Sequence, residues 1–134
     1  MIDRSNPSTV HEPDGYSHVT ISSAGRLAHL AGQCPVDLSG SVVGEPGDFA
    51  AQTEQVITNC LAVLDAAGAS PADVVRSVVY VVSADSDVLT AVWRQLNASP
   101  LAPAFTTAST LLGVTALGYR GQLVEVDLTA ALPN

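Results

Sequence analysis

Few residues of this chain have the chemistry to act on a small molecule, and Glu125 is the first of them. It stands in the middle of LVEVDL, an alternating apolar run near the C-terminus. A carboxylate there is either a solvated strand residue or a general acid–base group that takes a proton from water. Tyr16 follows Asp14-Gly15 at the head of another alternating run. Its phenol is a packing group or a second polar contact for the same ligand. His18 and His29 stand in neighbouring runs and face each other if those runs pair, but no third ligand lies at a recognisable metal spacing, so no metal is expected. Gly113, Gly118 and Gly121 do not lie between a strand and a helix, as a nucleotide fingerprint requires, and there is no G-x-S-x-G elbow.

Composition removes further classes. The 134 residues carry 13 acids against five arginines and no lysine, a formal charge of −8. A P-loop and a Schiff-base enzyme each need a lysine, which leaves only the N-terminal amine. Nucleic acid binding runs on clustered Lys and Arg, and five scattered arginines on an acidic chain give little of it. No stretch reaches the roughly 18–20 consecutive apolar residues of a membrane span. MIDRSNPSTVHEPDG at the start is polar and has no apolar signal core, so a cytoplasmic protein is expected. Cys34 and Cys60 are too few for a disulfide framework and too far apart for a CxxC site; buried, reduced thiols are expected. Only 13% of residues are charged and 47% are apolar, which points to a surface partly covered by other subunits.

The elements that must position these groups follow from periodicity. Residues 1–15 read as a flexible segment ahead of a single domain over 16–134. YSHVTISS and RLAHLAGQC, separated by Ala24-Gly25, read as a hairpin. PVDLSGSVVGEPG is a loop with a short extended piece at 41–43. Asp48 can cap a helix whose stripe is Phe49, Thr53, Val56, Ile57, Cys60, Leu61 and Leu64, ended by Gly68. Ser70-Pro71-Ala72-Asp73 starts at most one helical turn, because the β-branched run RSVVYVV follows. Asp85 or Asp87 opens a second helix through Leu89, Val92, Trp93 and Leu96, and the prolines of SPLAPAF enforce a loop. Two last strands, about 109–117 and 122–131, read as a second hairpin with Arg120 in its turn. The order is an α+β domain with two helices on one face of a mostly antiparallel sheet. Strand alternation sets Leu123, Glu125, Asp127 and Thr129 on the face away from the helices.

The GQ-P-VD loop, the block AGASPADVVRSVVYV and the closing LVEVDL, in this order and spacing, resemble the Rid family. That family is also called YjgF or the L-PSP endoribonuclease family, and the resemblance covers about 16–132. It implies a chorismate-mutase-like fold and a homotrimer with a small-molecule cleft between neighbouring subunits. It also implies hydrolysis of reactive imines or enamines, such as 2-aminoacrylate, to a keto acid and ammonia without metal or organic cofactor. Glu125 falls on the family's water-activating acid, Tyr16 on a cleft-lining tyrosine, and Gly32 on a glycine whose backbone meets the ligand.

One position departs from the pattern. The family's P-A-R motif aligns with Thr107-Ala108-Ser109, so Ser109 stands where an arginine clamps the substrate carboxylate; Thr90 aligns with a family asparagine. A guanidinium holds a carboxylate by two charge-assisted bonds in fork geometry, and a serine offers one neutral hydroxyl. Arg120 is expected at the strand end, away from that position. Ser109 and Thr110 remain as hydroxyls for a neutral or cationic ligand. The expected activity is therefore imine or enamine hydrolysis on a non-standard substrate. The alternatives are a trimer that holds a metabolite without turnover and, weakest on charge grounds, an endoribonuclease.

Overall fold

The computed structural model describes residues 1–23 and 25–133. Ala24, half of the first expected turn, lies outside the described residues. Among the described residues, six strands and two helices make up an α+β domain: β1 Ile2–Ser5, β2 Val19–Ser22, β3 Leu27–His29, α1 Phe49–Ala66, β4 Val74–Val81, α2 Ser86–Asn97, β5 Ala108–Gly113 and β6 Val124–Ala131. The main sheet has the order β3-β6-β4-β5, antiparallel except for the parallel β4–β5 pair.

Local signals set the helix ends. Asp48 accepts from the Ala51 amide at 2.9 Å and starts α1. Gly68 takes φ +81°, and its amide and that of Ala69 return to the carbonyls of Asp65 and Leu64, ending the helix. The capping box of Ser70 and Asp73 holds a single turn, Pro71–Asp73, that leads directly into β4. Asp85, not Asp87, caps α2. The proline-rich SPLAPAF segment, expected as irregular, contains a short turn of 3-10 helix over Ala102–Phe105, which proline tolerates in a first turn.

Both helices lie on the same face of the sheet. Val56, Ile57, Cys60 and Leu64 of α1 and Val92 and Leu96 of α2 meet Val79 and Val81 of β4 and Val124, Val126 and Leu128 of β6 in one core. Each buried aliphatic side chain there contributes about 1.5–3 kcal/mol. Gln52 is also buried; its amide donates to the Gly121 carbonyl (2.8 Å) and accepts from the Leu123 amide (2.7 Å), tying α1 to the entry of β6.

Three expected connections differ. β2 and β3 do not form a hairpin: β2 pairs with β1, and β3 joins the edge of β6. β5 and β6 are not neighbours, because β4 lies between them and pairs with both. Val78 and Val79 have partners on both sides, which makes β4, like β6, an inner strand. Residues 2–5, left outside the domain by sequence pattern, are strand β1, and Arg4 donates to the carbonyls of Ala72 and Val74 at 2.9 Å each.

The face of the sheet opposite the helices carries no helix among the described residues, and the segment after β3 reaches over it at Glu125. Register places Arg76, Val78 and Tyr80 of β4, Thr110 and Leu112 of β5, and Glu125 and Asp127 of β6 on it, and none of these is fully buried.

Candidate functional site

Glu125 lies on that helix-free face, on β6 and next to the chain that continues β3. Beyond β3 the chain continues alongside β6, with Leu30 bonded to Leu128 and Gln33 exchanging backbone bonds with Val126. This extension carries Gly32 over Glu125. A Cβ at Gly32 would overlap Glu125 Oε2 and approach Cδ to 2.8 Å, so glycine is what lets the carboxylate lie flat against the loop.

The other carboxylate oxygen is held. Gln122 Nε2 donates to Glu125 Oε1 at 3.0 Å, and the Cys34 thiol donates to the same oxygen at 3.2 Å. Gln122 is itself fixed, since its amide also donates to the Val124 carbonyl and its Oε1 accepts from the Tyr119 amide. Asn59 of α1 donates to the carbonyls of Cys34 and Val36 at 2.9 Å each and pins the loop. Both donors to Glu125 therefore converge on Oε1, and Oε2 faces the Gly32 notch.

Cys34 is only half-buried, contrary to the expectation of a buried thiol; Cys60 is buried, and both are free. Burial, the hydrogen bond to Glu125 and the charge of Glu125 push the Cys34 thiol up to about 11, while the Gln122 bond acts in the opposite sense. At neutral pH the sulfur is a protonated donor and not a nucleophile.

Tyr16, Thr90 and Ser109 gather elsewhere. With Asp14, Trp93 and Leu111 they line a concavity of about 370 Å³ between β5, α2 and the segment before β2. Tyr16 is fixed by a 2.8 Å hydrogen bond to His11 Nε2, and the His18 ring donates to the His11 carbonyl. Ser17 donates from its backbone and its hydroxyl to the carbonyls of Thr107 and Thr106, which docks this segment on the start of β5.

Ser109 is not a free hydroxyl. Its proton is shared between the carbonyls of Thr107 (3.0 Å) and Phe105 (3.2 Å), and it accepts from buried Ser77. Thr110 does not join it, because consecutive strand residues point to opposite faces. Thr110 lies on the helix-free face and accepts from the Arg76 guanidinium at 2.8 Å. Arg120 is exposed in the loop before β6 and does not line the concavity. His18 and His29 fall in separate segments, His29 in the main sheet and His18 in the Tyr16 cluster.

The six expected residues thus form two half-sites and one outlier. Ser109 pairs with Ser77, and Ser77 with Leu128, on the helix side of the sheet. Glu125 is three residues from Leu128, on the opposite face, roughly 10 Å along and two strands across. One chain does not bring Glu125 and Gly32 to Tyr16, Thr90 and Ser109. Sequence reasoning missed Cys34, Gln122, Asp14 and Trp93; the signal for Gln122 was its place three residues before Glu125, within reach of its carboxylate.

An α+β domain with both helices on one face of the sheet and two separate polar half-sites, one on β6 and one beside β5, defines the class. The endoribonuclease L-PSP family model matches residues 8–132, and the chain belongs to that family, also named Rid or YjgF. The solved structure of YyfB from Yersinia pestis, a Rid family protein described as of unknown function, is 38% identical, with a TM-score of 0.87 over 98% of each chain. Protein DfrA of Myxococcus xanthus is 32% identical over 86% of this chain and 83% of its own length. A RutC family protein of Pyrococcus horikoshii is 45% identical over 42% of this chain, a stretch that spans 44% of the relative, less than half its length.

Proposed function

We propose that this protein is a cofactor-free hydrolase of a reactive imine or enamine, working in clefts between the subunits of a homotrimer. The observation that carries the reading is the separation of the half-sites. Each chain holds the Glu125 carboxylate on β6 beside the β3 side of the sheet and a ligand-sized concavity beside β5, an arrangement that favours completion of the site by a neighbouring copy. The helix-free sheet face, with Val78, Tyr80 and Leu112, supplies apolar area for such packing.

Glu125 Oε2 takes a proton from water as the water oxygen bonds to the imine carbon, and the C=N electron pair moves to nitrogen. Glu125 returns that proton to the nitrogen, giving the carbinolamine; the carboxylate then carries the hydroxyl proton to the nitrogen as the C–N bond breaks, so ammonia leaves and the carbonyl forms. Cys34 and Gln122 hold Oε1, so the basic oxygen is fixed relative to the water. A carboxylate substrate finds no cationic partner among the residues lining the concavity. The −8 charge and the absence of a basic surface run argue against RNA as substrate.

The test is imine generation in situ by an amine or amino-acid oxidase, with semicarbazide trapping the imine, and Glu125→Ala as control. Faster loss of the imine in wild type alone supports hydrolysis. Equal rates with both proteins, across amine-derived and amino-acid-derived imines, end the enzymatic reading. Sedimentation velocity tests assembly; a monomer at micromolar concentration removes the shared cleft.

A further inference from the structure

The walls of the 370 Å³ concavity share one electrostatic character. Asp14 is the only formally charged residue among them. Trp93 contributes an indole surface whose quadrupole attracts cations, and Tyr16 a second aromatic ring. The Ser109 hydroxyl donates to main-chain carbonyls and accepts from Ser77, so it has no free proton to offer an anion. Tyr16 is paired outward with His11. Among the described residues, no lysine, arginine or histidine lines the space.

We propose that this concavity is the subsite for a positively charged group of the ligand: a protonated amine, amidine or guanidinium. The proposal deepens the hydrolase reading by naming its substrate class, an imine formed from a polyamine or guanidino amine and not from an α-amino acid. Asp14 supplies the counter-charge, Trp93 and Tyr16 the apolar, cation-attracting walls, and Leu111 a surface for the methylene chain. Arg94 lines the adjoining concavity, which Asp14 and Trp93 share. It competes for the field of Asp14 from the other side, which gives the proposal a second, opposite handle.

Trp93 is the chain's only tryptophan, so its emission reports directly on occupancy. Wild-type protein is titrated at constant ionic strength with agmatine and putrescine, and separately with pyruvate and propionate. Saturable change with the two cations and none with the two anions is expected. Asp14→Asn should weaken agmatine about fivefold or more, and Arg94→Gln should tighten it. Binding of pyruvate at comparable concentration, or agmatine binding indifferent to Asp14→Asn, overturns the subsite. Because binding is read without turnover, the two readings fail separately. Cations that bind while no imine is hydrolysed refute the hydrolase and keep the subsite. Hydrolysis of amino-acid imines with no cation binding does the reverse.

Discussion

The thiol of Cys34 donates to Glu125 Oε1 across 3.2 Å, joining two residues 91 positions apart in the chain. Because burial and the carboxylate raise the thiol to about 11, Cys34 is expected to react slowly with iodoacetamide at pH 8. Glu125→Gln removes the charge but not the burial, which is the larger cause. Labelling followed by mass spectrometry should therefore show a faster, still subnormal rate at Cys34 in that variant. Identical rates in the two proteins would mean the carboxylate does not face the sulfur.

The same thiols set a pH dependence of stability. Cys34 rises from 9.0 to about 11, and burial takes Cys60 to about 12. A folded value above the unfolded one means the folded chain keeps protons that the unfolded chain releases. The contribution is complete below pH 9 and is lost as pH climbs through 9 toward 11 and 12. Urea midpoints should fall between pH 8 and pH 10.5, and less steeply in Cys60→Ala. A midpoint that stays level over that interval contradicts the burial of Cys60 and the environment of Cys34.

Gly32→Ala tests the notch. The added methyl cannot coexist with Glu125 in its present position, but the carboxylate lies at the end of a flexible side chain and can swing away. The fold should survive with a loss of about 1 kcal/mol, from a forced off-rotamer side chain. Imine hydrolysis should fall by about tenfold or more, as expected for a misplaced general base. In a Glu125→Ala background the methyl has room, and the stability cost should disappear. A cost that persists there would place the strain in the backbone instead.

Local features were legible in the sequence because local physics fixes them. The cap at Asp48, the stop at Gly68, the one-turn box at Ser70 and the face of Glu125 each depend on neighbours within four residues. Strand partners do not. β4 pairs with β5 in parallel and with β6 antiparallel, and nothing in the alternation of either strand states its neighbour. β1 was invisible because four residues, IDRS, show little pattern; it is held by β2 and by the reach of Arg4 to Ala72 and Val74.

The site divides the same way. Tyr16, Thr90 and Ser109 do share a wall, and Gly32 does meet Glu125. Cys34 and Gln122 were missed because their role lies in contact with Glu125, which spacing alone does not report. Thr110 was read beside Ser109, although period-two alternation already sends neighbours to opposite faces.

Gln52 is not among the stripe residues that periodicity picks out for α1, yet it is 2% exposed. Its amide satisfies the Gly121 carbonyl and the Leu123 amide, which flank Gln122. Gln52→Leu leaves a backbone donor and acceptor unpaired under α1, at a cost of about 1–3 kcal/mol. Because those groups frame the turn that aims Gln122 at Glu125, activity should fall more than the stability loss explains. Calorimetry at the assay temperature, beside kcat, separates the two. A variant as stable as wild type would mean the turn holds without its anchor.

Ser109→Arg puts a guanidinium at the position that the Rid resemblance aligns with a carboxylate-clamping arginine, and its outcome depends on both half-sites. Ser77 loses its partner and is left buried, which costs about 1–3 kcal/mol. The longer side chain must leave the sheet toward the concavity, where Asp14 attracts it and the cation-accepting space is filled. Charge preference should therefore invert: agmatine binding is lost, and imines of α-amino acids gain a two-point anchor for their carboxylate. Measured by semicarbazide competition, the ratio of amino-acid to amine-derived imine turnover should rise by about tenfold or more, the scale of one charge-assisted pair. If the variant folds and the ratio stays put, Ser109 does not occupy the clamp position, and the carboxylate of an ordinary substrate is held from the neighbouring subunit.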